Sequence, residues 1–212
     1  MLQSLRSCFQ RCVPFLLCAV FLSACAGYQR AEAYKGSASK PVVYLYPFND
    51  FPEERARVLA SFLSERLGVE AVALKRLTLP RQTEDRLTRH FIAEDVVAFL
   101  RARSSYRLTD EHSYMVGLVP KTLISRDTED AAALEYLDAP YGLISTISFE
   151  ERDDKDRIIE NVMRTRTEKL LAAHVGRLVL SLPGSESTSD FMYKNLSTVQ
   201  DIDAVDAASI RR

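Results

Sequence analysis

The stretch Glu168-Lys-Leu-Leu-Ala-Ala-His-Val-Gly-Arg-Leu-Val-Leu-Ser-Leu-Pro183 constrains the chain most. It reads as one long helix over 168–183, with an apolar stripe at Leu170, Leu171, Ala173, Leu178 and Leu182. Gly176 stands in its middle, where glycine costs ~1 kcal/mol relative to alanine. A glycine kept at that cost points to close packing against the helix or to an inherited role. A polar loop, Gly184 to Asp190, leads to Phe191-Met192-Tyr193, and a short helix over 196–208 closes the chain. Any fold for this sequence must place a helix, a turn with one methionine, and a second helix in that order.

Cysteine usage separates the two ends. Cys8, Cys12, Cys18 and Cys25 are the chain's four cysteines, so everything after residue 25 is free of disulfides and thiolate metal sites. Arg6 and Arg11 precede an apolar run from Val13 to Leu22, which has signal-peptide length and is too short to span a bilayer. It ends in Leu22-Ser23-Ala24-Cys25, which resembles a bacterial lipobox. That likeness implies a lipoprotein signal peptide over 1–24 and acylation of Cys25. Acyl chains at ~0.8 kcal/mol per buried methylene would make a stable membrane anchor. Ala26 stands where an aspartate would retain the protein at the inner membrane. The expected location is therefore the cell envelope, on the periplasmic face of the outer membrane. Residues 25–40 are small and polar and read as a flexible tether. The net charge of -1 gives no electrostatic case for nucleic acid.

Residues 41–212 read as one domain. Val42 to Tyr46 is a buried strand. A helix follows to Leu67, capped by Asn49 or Asp50, with Pro52 in its first turn and Val58, Leu59, Phe62, Leu63 and Leu67 on one face. Gly68 stops it, and 69–74 is a second strand. Strand, helix, strand implies a parallel βαβ unit. Further on, 90–100 reads as helix, 113–118 as strand, 131–137 as a short helix and 141–149 as a last strand. Asp153 to Asp156 is a solvated loop, and the main helix region begins from Ile158, ahead of Glu168. The fold class is α/β (α+β), with a mixed, mainly parallel sheet.

At this point the chain resembles the archaemetzincins, zinc metallopeptidase-like proteins of the metzincin clan. The segments that carry the likeness are Val43 to Pro52, His90 to Leu100, Gly142 to Phe149, Phe191-Met192-Tyr193 as a Met turn, and Ser197 to Ala204. Together they run through nearly the whole domain in the family's order. The resemblance implies that the long helix descends from a HExxHxxGxxH zinc helix. Alignment on Gly176 puts Ala173 at the first zinc histidine, His174 at the general-base glutamate, Arg177 at the second histidine and Pro183 at the third ligand. A one-residue gap would instead put His174 at the first histidine, followed four residues later by Leu178. Either way the i, i+4 imidazole pair is missing. Arg177 repels a divalent cation, and no glutamate is present to take a proton from a bound water.

These readings lead to a lipid-anchored, non-catalytic peptide- or protein-binding module with no cofactor. A divergent zinc metallopeptidase with a non-standard ligand set and a structural envelope lipoprotein remain open alternatives. His174 is expected to line the old cleft. Arg177 is expected to point to solvent, with Asp190 or Glu168 as its candidate partners. Met192 is expected to mark the floor of the former metal site and equally to serve as core filling beneath the helix. His90 and His112 lie on other elements and are not expected to converge on His174.

Overall fold

The computed structural model describes residues 40–108, 112–127 and 132–210. The expected signal peptide 1–24, Cys25 and all but the last residue of the tether lie outside the described residues. Residues 40–212 form one compact unit, and its two hydrophobic cores draw on residues 43 to 210. A unit with its own core can fold alone.

The organising layer is a five-stranded sheet in the order β2-β1-β4-β8-β7. Its strands are β1 (Val42–Pro47), β2 (Glu70–Ala73), β4 (Ser113–Val119), β8 (Tyr141–Ser145) and β7 (Glu135–Asp138). β2, β1, β4 and β8 run parallel, and β7 lies antiparallel on β8 at the edge. The central strands are apolar runs because both faces are covered. Val43, Leu45, Val116, Leu118 and Ile144 enter one core, together with α1 (Glu53–Leu67) and α3 (Glu160–Leu178). Tyr46, Met115, Val119 and Leu143 enter the other, against α2 (Ala93–Ser104). A small second sheet joins β3 (Phe91–Ile92), β5 (Leu123–Ile124) and β6 (Ala132–Ala133). The expected mixed, mainly parallel α/β architecture is therefore the observed one. Among the described residues, no helix is long and apolar enough to cross a membrane.

Several boundaries differ from the sequence reading, each for a local reason. α1 is capped by the extended Pro52 with no side-chain cap, because Asn49 turns its Oδ1 to the Leu79 N–H at 2.9 Å instead. Gly68 ends the helix in the left-handed conformation, φ 68, as expected. Val58 lies outside the core face, exposed. The expected helix 90–100 begins only at Ala93, because Phe91 and Ile92 pair in parallel with Leu123 and Ile124. The expected helix 131–137 is not helix at all. Ala132–Ala133 and Glu135–Asp138 are strands, and the latter is drawn into register with β8 across the two-residue Ala139-Pro140 loop. The last strand stops at Ser145 and gives way to a 3-10 turn, Ile147–Phe149. The long helix covers 160–178, so it starts close to the expected Ile158 but ends short of 183, and Leu182 and Pro183 fall beyond it, exposed. The closing helix shortens to α4 (Val199–Ala204), started by a reciprocal Thr198–Asp201 capping box and followed by a 3-10 turn at 207–209.

Candidate functional site

α3 lies against β8 and the edge strand β7. In register, Glu135 stands opposite Ile144, and Gly142 opposite Leu137. Alternation along a strand then puts Glu135, Gly142 and Ile144 on the face that α3 covers. His174 is fully buried there, and its Nδ1 donates to Glu135 Oε2 at 2.7 Å. A Cβ built on Gly142 would stand 2.0 Å from His174 Nε2, so the imidazole fills the space a side chain at 142 would take. Nε2 itself has no hydrogen-bond partner.

The expectation that His174 lines a cleft is corrected by this burial. His174 lies three and four residues after Leu171 and Leu170, on the stripe that faces the core. Arg177 does not point to solvent. Its guanidinium pairs with the other carboxylate oxygen of Glu135. Neither candidate partner takes part. Asp190 accepts the Met192 N–H at 2.8 Å, and Glu168 faces Arg164 at 3.7 Å. Burial raises the Glu168 carboxyl above its ordinary value, against the opposing charges of Arg164 and Arg66.

Glu135 is the residue that the sequence reading missed. Burial raises its carboxyl, but the hydrogen bond and charge of His174, then the charge and hydrogen bond of Arg177, outweigh that and hold it at about 2. The missed signal was the two-residue Ala139-Pro140 loop between Glu135–Asp138 and Tyr141–Ser145, which is a hairpin spacing.

Beneath the helix, a Cβ on Gly176 would come 2.6 Å from Met192 Sδ. This explains the glycine in mid-helix: the sulfur occupies the place of its missing side chain. Met192 and Phe191 are buried. The turn that carries them is closed by Ser185 N–H to Met192 O at 2.8 Å, Lys194 N–H to Ser185 O at 3.1 Å and Phe191 N–H to Ser209 Oγ at 3.0 Å. α3 also holds α4 in place. Arg166 takes both carboxylate oxygens of Asp203 at 2.8 and 2.7 Å. The buried Lys169 ammonium donates to Ile202 O and Asp203 O at 3.2 and 3.3 Å, where the carbonyls of a helix end favour a cation.

The other expected positions separate. Ala173 is fully buried and offers no donor atom, while Pro183 is exposed past the helix end. His90 and His112 lie on the segments before β3 and β4. Among the described residues, no three His, Cys, Asp or Glu side chains are grouped to hold a metal ion. Among the described residues no strand lies on the outer side of β7, and Leu137 on that strand is 42% exposed.

No protein-family model matches the chain, and no curated protein matches its sequence. Among solved structures it is similar to a zinc-dependent peptidase from Methanocorpusculum labreanum (strain Z), with a TM-score of 0.61 at 14% identity over 77% of this chain and 93% of that one. It is also similar to an archaemetzincin from Methanopyrus kandleri, with a TM-score of 0.60, 16% identity, and coverage of 79% and 88%. A third, the archaemetzincin from Archaeoglobus fulgidus complexed with malonate, gives 0.58, 16%, 77% and 92%. At these identities the likeness shows an archaemetzincin-like fold.

Proposed function

We propose that this chain is a lipid-anchored envelope protein whose archaemetzincin-like domain has a degenerate zinc site and binds a peptide or partner protein without cleaving it. The observation that carries the reading is the Glu135–His174–Arg177 cluster. Aligned on Gly176, Arg177 stands where the second zinc imidazole would be, and its guanidinium is committed to Glu135. His174 stands at the general-base position and turns its one partnered nitrogen to the same carboxylate. The donor set does not fit zinc. Ala173 has no lone pair to give, Arg177 is permanently charged, and His174 Nε2 abuts Gly142 with no room for an ion. A peptide would add as a strand along the free edge of β7, with main-chain hydrogen bonds supplying affinity and the exposed Leu137 an apolar contact.

A second reading is a divergent metallopeptidase, favoured by the zinc-dependent peptidase among the structural neighbours. Elemental analysis of the purified domain, residues 26 to 212, separates the two. The proposal expects far less than one zinc per chain, and stoichiometric zinc overturns it. Anchoring through Cys25 would place the domain at the periplasmic face of the outer membrane.

A further inference from the structure

Three parallel strands, β2, β1 and β4, end side by side, and the segments leaving them enclose an open pocket of about 720 Å³. Asn49 and Asp50 follow β1, Lys121 follows β4, and Arg76 and Thr78 follow β2, with Arg81 a little further on. The sheet changes direction here. From β1 the chain crosses to β2 on one side, and from β4 it goes on to β8 on the other. In open α/β sheets the loops part at such a point, and the crevice outside the carboxyl ends is where ligands bind.

The rim of this pocket is fixed by hydrogen bonds. The Asn49 N–H donates to Leu77 O and its Oδ1 accepts from the Leu79 N–H, both at 2.9 Å. The Leu77 N–H donates to Pro47 O at 3.0 Å, and the Arg76 N–H to Glu53 Oε1 at 2.9 Å. The segment carrying Arg76 and Thr78 is thus zipped to the end of β1. Asn49 adopts φ 48, a left-handed conformation that asparagine tolerates, which lets the chain reverse at the rim.

Among the described residues, the cations around the rim have no carboxylate partner. Elsewhere Arg55, Arg101, Arg126, Arg157 and Arg166 each hold a carboxylate. Among the described residues Arg76, Arg81 and Lys121 hold none, and Asp50 is the single acid lining the pocket. The neighbouring Glu53 and Glu54 face Arg57. Three free cations around a concavity concentrate positive potential, and guanidinium forks suit phosphate oxygens. The volume exceeds that of a bare anion and falls in the usual range for small ligands. Asp50 offers the acceptor that a ligand hydroxyl needs.

The geometry points to a binding site for the phosphate ester of a small, hydroxyl-bearing molecule, with Arg76, Arg81 and Lys121 on the phosphate and Asp50 on a hydroxyl. A soluble polyol phosphate and a phosphoglycerol lipid headgroup share this chemistry. The site draws on no residue of the Glu135–His174–Arg177 cluster and stands whether or not the domain binds peptide. Calorimetry on residues 40–212 with glycerol 3-phosphate, and flotation with phosphatidylcholine vesicles with and without phosphatidylglycerol, test it. Binding is expected to weaken at least tenfold in the R76Q/R81Q/K121Q triple variant, with an unchanged melting midpoint because all three side chains are exposed. Lys121→Gln alone should weaken it less. Asp50→Asn should reduce the preference for glycerol 3-phosphate over inorganic phosphate. Vesicle binding that requires phosphatidylglycerol and is lost in the triple variant assigns the headgroup source, and binding of glycerol 3-phosphate alone assigns the soluble one. Failure of the folded domain to bind either, or undiminished binding by the triple variant, overturns the inference.

Discussion

Met192 Sδ lies 2.6 Å from the place where a Cβ on Gly176 would stand, so the thioether and the missing side chain share one volume. This contact ties the turn at 191–193 to the middle of α3. Met192→Ala removes a buried side chain and is expected to cost about 2–5 kcal/mol, as such truncations do. Gly176→Ala is expected to destabilise by about 1–3 kcal/mol, because the added methyl must push the sulfur aside. The double variant should be more stable than the sum of the two losses predicts, since each change makes room for the other. Urea unfolding of the four proteins measures the coupling. Strict additivity would mean that the two residues do not share this volume.

Glu135 should make the domain acid-sensitive. Its carboxyl is held at about 2 in the fold, against 4.5 for an ordinary glutamate. On lowering the pH, the unfolded chain takes up the proton first, so the fold loses stability as pH falls from about 4.5 towards 2. Above that window the contribution is complete, and its size is about 3 kcal/mol. Glu135→Gln should flatten this part of the stability–pH curve while lowering stability at neutral pH, because Arg177 loses its counter-charge and the amide offers one acceptor oxygen where the carboxylate offered two. Unfolding midpoints at pH 7, 4 and 3 give the comparison. An unchanged slope in the variant would remove Glu135 as the cause.

Much of the sheet was legible because its central strands are covered on both faces. Val42 to Tyr46, Ser113 to Leu118 and Tyr141 to Ser145 are apolar or aromatic runs, and nothing in them competes with that reading. Gly68 was legible for a different reason: a helix end needs a left-handed residue, and glycine supplies it. The edge strand was not legible. Ala132 to Asp138 is rich in alanine, glutamate and leucine, which favour helix, and pairing with β8 overrides that local preference. The site inherited this error. The partner of Arg177 lies 42 residues upstream on that same strand, and no local pattern records such a contact. His174 was misread as a cleft residue, although its spacing from Leu170 and Leu171 puts it on the buried face.

Cys25→Ser tests the anchor. The lipobox-like Leu22 to Cys25 leads to the expectation that the wild-type chain takes up a palmitate analogue in growing cells and sediments with membranes. The serine variant should lose the label and either leave the membrane fraction or keep its signal uncleaved. Labelling that persists in the variant would show that Cys25 is not the acceptor.

Restoring a metal centre is the most demanding test of the helix alignment. Ala173→His, His174→Glu, Arg177→His and Pro183→His supply three imidazoles and a base, the complement of a catalytic zinc site with one position left for water. Positions 173 and 177 are one helical turn apart and share a face of α3. The cluster on β7 adds a condition that the helix alone does not reveal. His174→Glu and Arg177→His leave the buried Glu135 without its cation and set a second carboxylate beside it. Like charges at that distance disfavour each other's ionisation and the fold. The four-residue variant is therefore expected to melt well below wild type, and adding Glu135→Gln should recover part of the loss. In that five-residue variant, calorimetry should detect zinc binding that wild type lacks. The binding should be weak, because no groups are in place to orient the new imidazoles, and proteolysis should be negligible for the same reason. If wild type binds as tightly as the rebuilt protein, the native site is intact and the non-catalytic reading fails. If the rebuilt protein folds and binds nothing, Gly176 does not mark the register of a zinc helix.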